Sequence, residues 1–223
     1  MSTRLLYITY PFPPIAGGGV SRPLNFLSHF SEFDIEASIL SVELTESDRA
    51  RHSIDDSRLD TLDPSLKVFR SPTRFPYKIV AKLRERLPQR IFSYLSFLTF
   101  PFMNSQQAWW SISSIPKAIR IVREEHIQVV LTSASPHSVM LTGLFVKLFT
   151  KAKWICDLRD PYTDGYQWHW PGKLHWLLSR AIEKVCFYLA DHLVVNTPEV
   201  KKLYLSRNLK TEAEIAVVTN GIA

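Results

Sequence analysis

The 223-residue chain is poor in cysteine, poor in glycine outside one short stretch, and has no long hydrophobic run. Its two cysteines, Cys156 and Cys186, offer no disulfide framework. Cys156 lies in an apolar strand-like run and Cys186 in a helical one, so both read as reduced cytosolic thiols. No apolar run approaches the roughly 20 residues of a spanning helix. Residues 5–8 are too short for the apolar core of a signal peptide, and Pro11, Pro13 and Pro14 break any extension of it. No Gly-Lys-Ser/Thr comes after the glycines, which excludes a P-loop. No tight cluster of ligand-type residues argues for a metal, and no nucleic-acid-binding motif accompanies the basic residues. With 46% hydrophobic residues the chain can still bury a full core, as one domain or a domain with a long insertion.

The residues that are present alternate in pattern. "RLLYITY", "IEASILSV", "LKVFRS", "IQVVLTSA", "AKWICDL", "HLVVNT" and "EIAVVTN" read as short buried strands. Helical patterns fall between them. One has Leu24, Leu27 and Phe30 facing inward, and another starts at a Ser114 cap with Pro116 in its first turn. "KLHWLLSRAIEKVCFYLAD" reads as an amphipathic helix with Leu174, Leu178, Ala181, Val185 and Leu189 in register. The expected fold is α/β, a Rossmann-like three-layer domain with a mostly parallel sheet of about seven strands.

In such sheets ligands bind at the carboxyl ends of the strands, near the point where the winding reverses. The loop after the first strand holds Gly17, Gly18 and Gly19, then Arg22 at the start of a helix. Gly17 and Gly19 fit two places of a dinucleotide fingerprint, but Arg22 stands where the third glycine belongs. Glu43, at the end of the second strand, keeps a nicotinamide-type oxidoreductase open as an alternative. A plain flexible turn is the structural alternative. Three glycines leading into a helix N-terminus also suit a phosphate, with Arg22 adding a charge, and this reading is preferred.

Two further loops carry polar groups. In "TSASPHS", Ser135 can cap and Pro136 open a helix, which leaves His137 at the mouth of the expected site. There a histidine can bond a hydroxyl or take its proton. In "DLRDPYTD", extended backbone puts Asp157 and Arg159 on one side, able to grip a polyol or phosphate, with Asp160 beside them. A turn with Arg159 paired to a neighbouring aspartate is the plain alternative.

Between the third strand and the next helix, Lys78, Lys82, Arg84, Arg86 and Arg90 face only Glu85. Ile79, Leu83 and Leu87 form a stripe, and Phe92, Leu95, Phe97, Phe100 and Phe102 come after it. This basic, aromatic insertion near residues 75–112 suits an anionic membrane surface, or an ordinary helix with solvated charges. Trp109, Trp110, Trp168 and Trp170 are core, rim or acceptor-groove candidates.

Taken in order, "FPP", "GGG", Arg22, "TSASPHS", "DLRDPY" and "VVNTPEV…VVTNGIA" resemble the N-terminal half of a GT-B glycosyltransferase over nearly the whole chain. The likeness is greatest to nucleotide-sugar-dependent retaining enzymes that build bacterial surface polysaccharides. The resemblance implies that residues 1–223 form one acceptor-side domain, with the donor-binding C-terminal domain absent and the isolated domain inactive. It implies that Gly17, Gly18 and Gly19 let the loop approach the donor diphosphate and that His137 lies near the transferred sugar. Asp157, Arg159 and Asp160 would line the acceptor side. It implies no protein nucleophile, no metal and no cofactor, because the departing diphosphate takes the acceptor proton on the same face. The expected partners are a nucleotide sugar, a glycan or lipid-linked acceptor and the anionic inner face of the cell membrane. The contrasting expectation is a stand-alone binding module or partner subunit.

Overall fold

The computed structural model of the chain describes residues 2–74, 82, 84–91, 106–134, 136–165 and 172–220. Among these residues seven strands form one sheet: β1 (Thr3–Ile8), β2 (Ile35–Glu43), β3 (Lys67–Pro72), β4 (Val129–Ala134), β5 (Lys153–Leu158), β6 (His192–Val195) and β7 (Ile215–Val217). The order is β3-β2-β1-β4-β5-β6-β7, and every neighbouring pair is parallel. This is the Rossmann-like α/β fold expected from the alternating pattern.

A central parallel strand is covered on both faces, so it needs apolar residues at successive positions. β1 supplies Leu5, Leu6, Tyr7 and Ile8, all buried. Alternation then sorts them. Leu5 and Tyr7 join Phe12, Ile39 and Leu131 in one cluster, covered by Leu24, Leu27 and Phe30 of α1 (Gly18–Phe30). Leu6 and Ile8 enter the larger cluster on the other face, with Trp110, Val130, Met140, Trp154 and Phe187. From β1 the chain winds outward through β2 and β3. It then returns to lay β4 against the free side of β1 and winds the other way. The reversal therefore lies between β1 and β4, where the loops leaving these two strands separate.

Two short helices, α2 (Glu46–Arg49) and α3 (Ser57–Asp60), lie between β2 and β3. The helix expected to begin at Ser114 is longer: α4 spans Gln106–Glu124 and carries Pro116 inside it. Packing overrides the proline signal here. Trp110 is fully buried and its indole N–H donates to the Ser71 carbonyl at 3.0 Å, which anchors the turns before the proline. Ser114 is buried and its hydroxyl bonds back to the Ser111 carbonyl rather than capping.

After β4 comes α5 (Val139–Phe149), then α6 (Lys173–Leu189) between β5 and β6, and α7 (Pro198–Leu205) before β7. The apolar register of α6 is not its buried one. Leu174, Leu178 and Val185 are 53%, 47% and 48% exposed, whereas His175, Ser179, Glu183, Cys186 and Phe187 are buried. The helix is rotated by a polar interior. Thr163 donates its hydroxyl to Glu183 at 2.5 Å, and Arg207 donates to the same carboxylate at 2.6 Å. Burial pushes the Glu183 carboxyl above its ordinary pKa, with the Thr163 bonds acting against that.

The expected basic and aromatic insertion falls largely outside the described residues, and Lys78, Ile79, Leu83, Phe92, Leu95, Phe97, Phe100 and Phe102 lie there. So do Ser135, Trp168 and Trp170. Lys82, Arg84, Arg86 and Arg90 are helical and exposed, and residues 106–112 belong to α4.

Candidate functional site

The loop leaving β1 is pinned along its length. The Thr9 N–H donates to the Leu40 carbonyl, Ser41 donates its hydroxyl to the Tyr10 carbonyl, and Ala16 bonds to Ser53. Arg70 donates to the Pro13 carbonyl and covers the Phe12 ring. The loop is therefore a fixed platform that delivers the three glycines to the start of α1, beside the sheet's reversal point.

Gly17 caps α1 with φ at +119°, a conformation that side chains resist. No acidic residue occupies the first turn, and no side chain caps it. The Val20 N–H bonds back to the Gly17 carbonyl at 3.1 Å, which leaves the Gly18 and Gly19 N–H groups open to an anion. Gly19 is tighter. A methyl group on it would sit 3.2 Å from Pro11 and 3.5 Å from the Arg159 guanidinium.

Arg22 does not extend toward the glycines. It is 5% exposed and turns inward to Asp157, donating from Nη2 at 2.6 Å and from Nε at 2.9 Å. Its Nη1 donates to the Val218 carbonyl and the Asn220 side chain, both at 2.9 Å. Asp157 is fully buried and takes a further bond from the Ser133 hydroxyl at 2.9 Å. Burial works against the Arg22 cation, but the Asp157 bonds outweigh it and raise its pKa. This one contact joins α1, the ends of β4 and β5, and the segment after β7.

Arg159 is placed differently from its neighbour. Its Nε donates to the Ala134 carbonyl at 2.6 Å and its Nη1 to the Gly19 carbonyl at 3.1 Å. Asp157 and Arg159 therefore do not act as a joint grip. Arg159 is the prop beneath the glycine loop, and Asp157 is the internal counter-ion of Arg22. Asp160 is exposed and contributes its carbonyl to His137.

His137 is 5% exposed rather than at a mouth. Its Nε2 lies 3.0 Å from the Asp160 carbonyl, and its ring stacks on Tyr162 with centroids 4.9 Å apart. Burial lowers its pKa below 6.5, so the ring is neutral at pH 7 and Nε2–H donates to that carbonyl. It ties the loop after β5 to the start of α5.

A pocket of about 300 Å³ opens beside this platform, lined by Tyr10, Ile15, Gly19, His52, Gln107 and Arg159, with Pro11 at its edge. The Tyr10 hydroxyl and His52 Nε2 are 3.3 Å apart within it. His52, Gln107, Ser133 and Asn220 are not marked as site residues by sequence. Ser133 and Asn220 sit within motif stretches, but their partner network is remote in the chain, whereas nothing local marks His52 or Gln107. Among the described residues no group of three or more His, Cys, Asp or Glu side chains is placed to hold a metal.

Residues 79–223 match the family described as Glycosyltransferase Family 4. No curated protein matches the chain by sequence. Among solved structures, the chain is similar to a glycosyltransferase from Rickettsia africae, at 13% identity and TM-score 0.55, over 99% of this chain and 44% of that one. It is similar to a sucrose-phosphate synthase from Thermosynechococcus elongatus, at 12% identity and TM-score 0.59, over 99% and 48%. It is also similar to a UDP-GlcNAc 2-epimerase from Methanocaldococcus jannaschii, at 12% identity and TM-score 0.55, over 99% and 46%. At these identities the likeness is one of fold. The chain spans less than half the length of each of these three structures.

Proposed function

Because the chain belongs to glycosyltransferase family 4, we propose that it is the acceptor-side half of a GT-B transferase. The transferase moves a sugar, with retention, from a nucleotide-sugar donor to a glycan or lipid-linked acceptor of a bacterial surface polysaccharide. The observation that carries this reading is the edge at the β1–β4 reversal. There a pinned glycine loop presents open N–H groups, and the Arg159 cation supports it from below. Gly17, Gly18 and Gly19 approach the donor diphosphate, and a donor-binding domain holds the nucleotide from the other side.

In the proposed transfer the bond between the sugar's C1 and the diphosphate oxygen breaks while the acceptor oxygen bonds C1 on the same face. The hydroxyl proton passes to the departing diphosphate. A bystander role for Asp157 supports this scheme, since that carboxylate is buried and committed to Arg22. Arg22 and Asp157 position the loops. His137, holding the Asp160 carbonyl, is a positioning residue that keeps Asp160 on the acceptor side. Lys78, Lys82, Arg84, Arg86 and Arg90 meet the anionic inner face of the membrane, each contributing about 1 kcal/mol near the surface. The exposure of the four described members of this set supports that contact.

The complete product of the gene, isolated from its own cells, is the material for the test. It is incubated with a panel of nucleotide sugars and a membrane lipid extract, and nucleotide diphosphate release is followed. Extract-dependent release that a Gly18→Asp substitution lowers by tenfold or more is expected. No release from any donor with any extract would overturn the transferase reading.

A further inference from the structure

Arg159 makes no ion pair among the described residues, although Asp157 and Asp160 lie near enough to favour its charge. Its Nε and Nη1 are spent on two backbone carbonyls, so the guanidinium plane is fixed. Its Nη2 is buried and has no hydrogen-bond partner among the described residues. A buried donor left unmade costs about 1–3 kcal/mol, more when charged. Of the two carboxylates nearest in sequence, Asp160 is exposed to solvent and makes no ion pair with Arg159, and Asp157 is already paired with Arg22 and Ser133. No carboxylate is among the described residues that line the neighbouring pocket. Its lining instead supplies further polar groups, the Tyr10 hydroxyl, the His52 ring and the Gln107 amide, around about 300 Å³.

A cation held rigidly in a concave site with polar groups around it is built for an oxyanion. We propose that this pocket is a subsite for a small oxyanion, a carboxylate or phosphate on a substrate, with Arg159 as its charged partner and Gln107 and His52 beside it. Resting on the transferase reading, this narrows the substrate class: the acceptor carries an acidic group, as a uronic acid or a phosphorylated sugar does. The same chemistry has a second source in the donor diphosphate, since Gly19 is shared between the pocket and the glycine loop.

The 223-residue chain is titrated with methyl β-glucuronide, methyl β-glucoside and inorganic phosphate, and binding is followed by two-dimensional NMR of its amides. The glucuronide and phosphate are expected to shift amides around Gly19 and Arg159, with the glucuronide binding about tenfold or more tighter than the uncharged glucoside. Gln107→Glu adds a carboxylate to the lining that Gln107 shares with Arg159 and is expected to remove that preference, even if Arg159→Gln, which loses two structural bonds, fails to fold. Simultaneous binding of UDP and the glucuronide assigns the pocket to the acceptor. Displacement of the glucuronide by UDP assigns it to the donor diphosphate. Equal binding of glucuronide and glucoside, or a preference untouched by Gln107→Glu, overturns the proposal. The readout needs no sugar transfer, so its failure is distinct from a failure of the transferase reading.

Discussion

Replacing Asp157 by Asn tests how much of the site rests on one buried pair. The substitution keeps the shape and one acceptor oxygen but removes the negative charge facing Arg22. Asp157 receives two nitrogens of Arg22 within 2.9 Å and the Ser133 hydroxyl, and water reaches neither partner appreciably. Breaking such a pair from one side costs about 3–5 kcal/mol, because the remaining charge is buried without compensation. Arg22 keeps the Val218 carbonyl and the Asn220 side chain as acceptors, which places Asp157→Asn near the lower end, at about 3 kcal/mol. For a chain of this size that is a fall in Tm of roughly 6–12 °C. The assay is urea unfolding followed by tryptophan fluorescence, with the slope unchanged and the midpoint lowered. Arg22→Met should cost at least as much, since Asp157 is then left with a single hydroxyl donor. The double variant Arg22→Met with Asp157→Leu should be more stable than either single variant. A loss below about 1 kcal/mol for Asp157→Asn, or additive losses in the double variant, would refute the reasoning.

Other positions give further expected outcomes. Gly143→Ala would put a methyl group 2.2 Å from the buried Trp154 indole nitrogen, which itself donates to Thr132, so a loss of about 1–3 kcal/mol or more is expected in the same unfolding assay. Gly17→Ala meets open space but keeps φ at +119° and should cost about 1–3 kcal/mol, while Gly18→Ala should be neutral or slightly stabilising. His137 has a folded pKa below 6.5, so the unfolded chain binds its proton more readily, and stability falls as pH drops from above 6.5 toward the lowered value. His137→Gln should flatten that part of the pH profile of the urea midpoint, and an unchanged profile would remove His137 as its source. Vesicles containing anionic lipid should sediment the chain where neutral vesicles do not. Reversing Lys82, Arg84, Arg86 and Arg90 to Glu should abolish the difference, and equal sedimentation by both vesicle types would remove the membrane contact.

Strand positions are legible because a two-sided parallel strand leaves an unmistakable run, as in Leu5, Leu6, Tyr7 and Ile8. The glycine loop is legible for a similar reason, since Gly17 occupies backbone space that other residues avoid. The failures share a cause as well. Pro116 reads locally as a helix start, yet the burial of Trp110 six residues earlier decides the matter. The stripe on α6 reads locally as a core face, yet Thr163 and Arg207 draw Glu183 inward and turn the leucines out. Arg22 and Asp157 both stand out in the sequence, but each reads as a ligand contact, because a bond across 135 residues leaves no local trace. His137 reads from its own loop as a mouth residue, and its stacking on Tyr162 depends on the loop after the next strand, which the residues around His137 do not show.

The position of β1 also sets a timetable for the ribosome. This strand leaves the tunnel long before β4, which seals its second edge and begins at Val129. At synthesis rates of about 5–20 residues per second, β1 waits roughly 6–24 s with its backbone unpaired along that edge. An open apolar edge is a template for wrong pairing, so the nascent chain has its greatest need of a chaperone in this interval. The Arg22–Asp157 bond cannot form until still later, when β5 emerges. Formation of that bond in a growing chain would therefore mark the late assembly of this sheet rather than the first collapse.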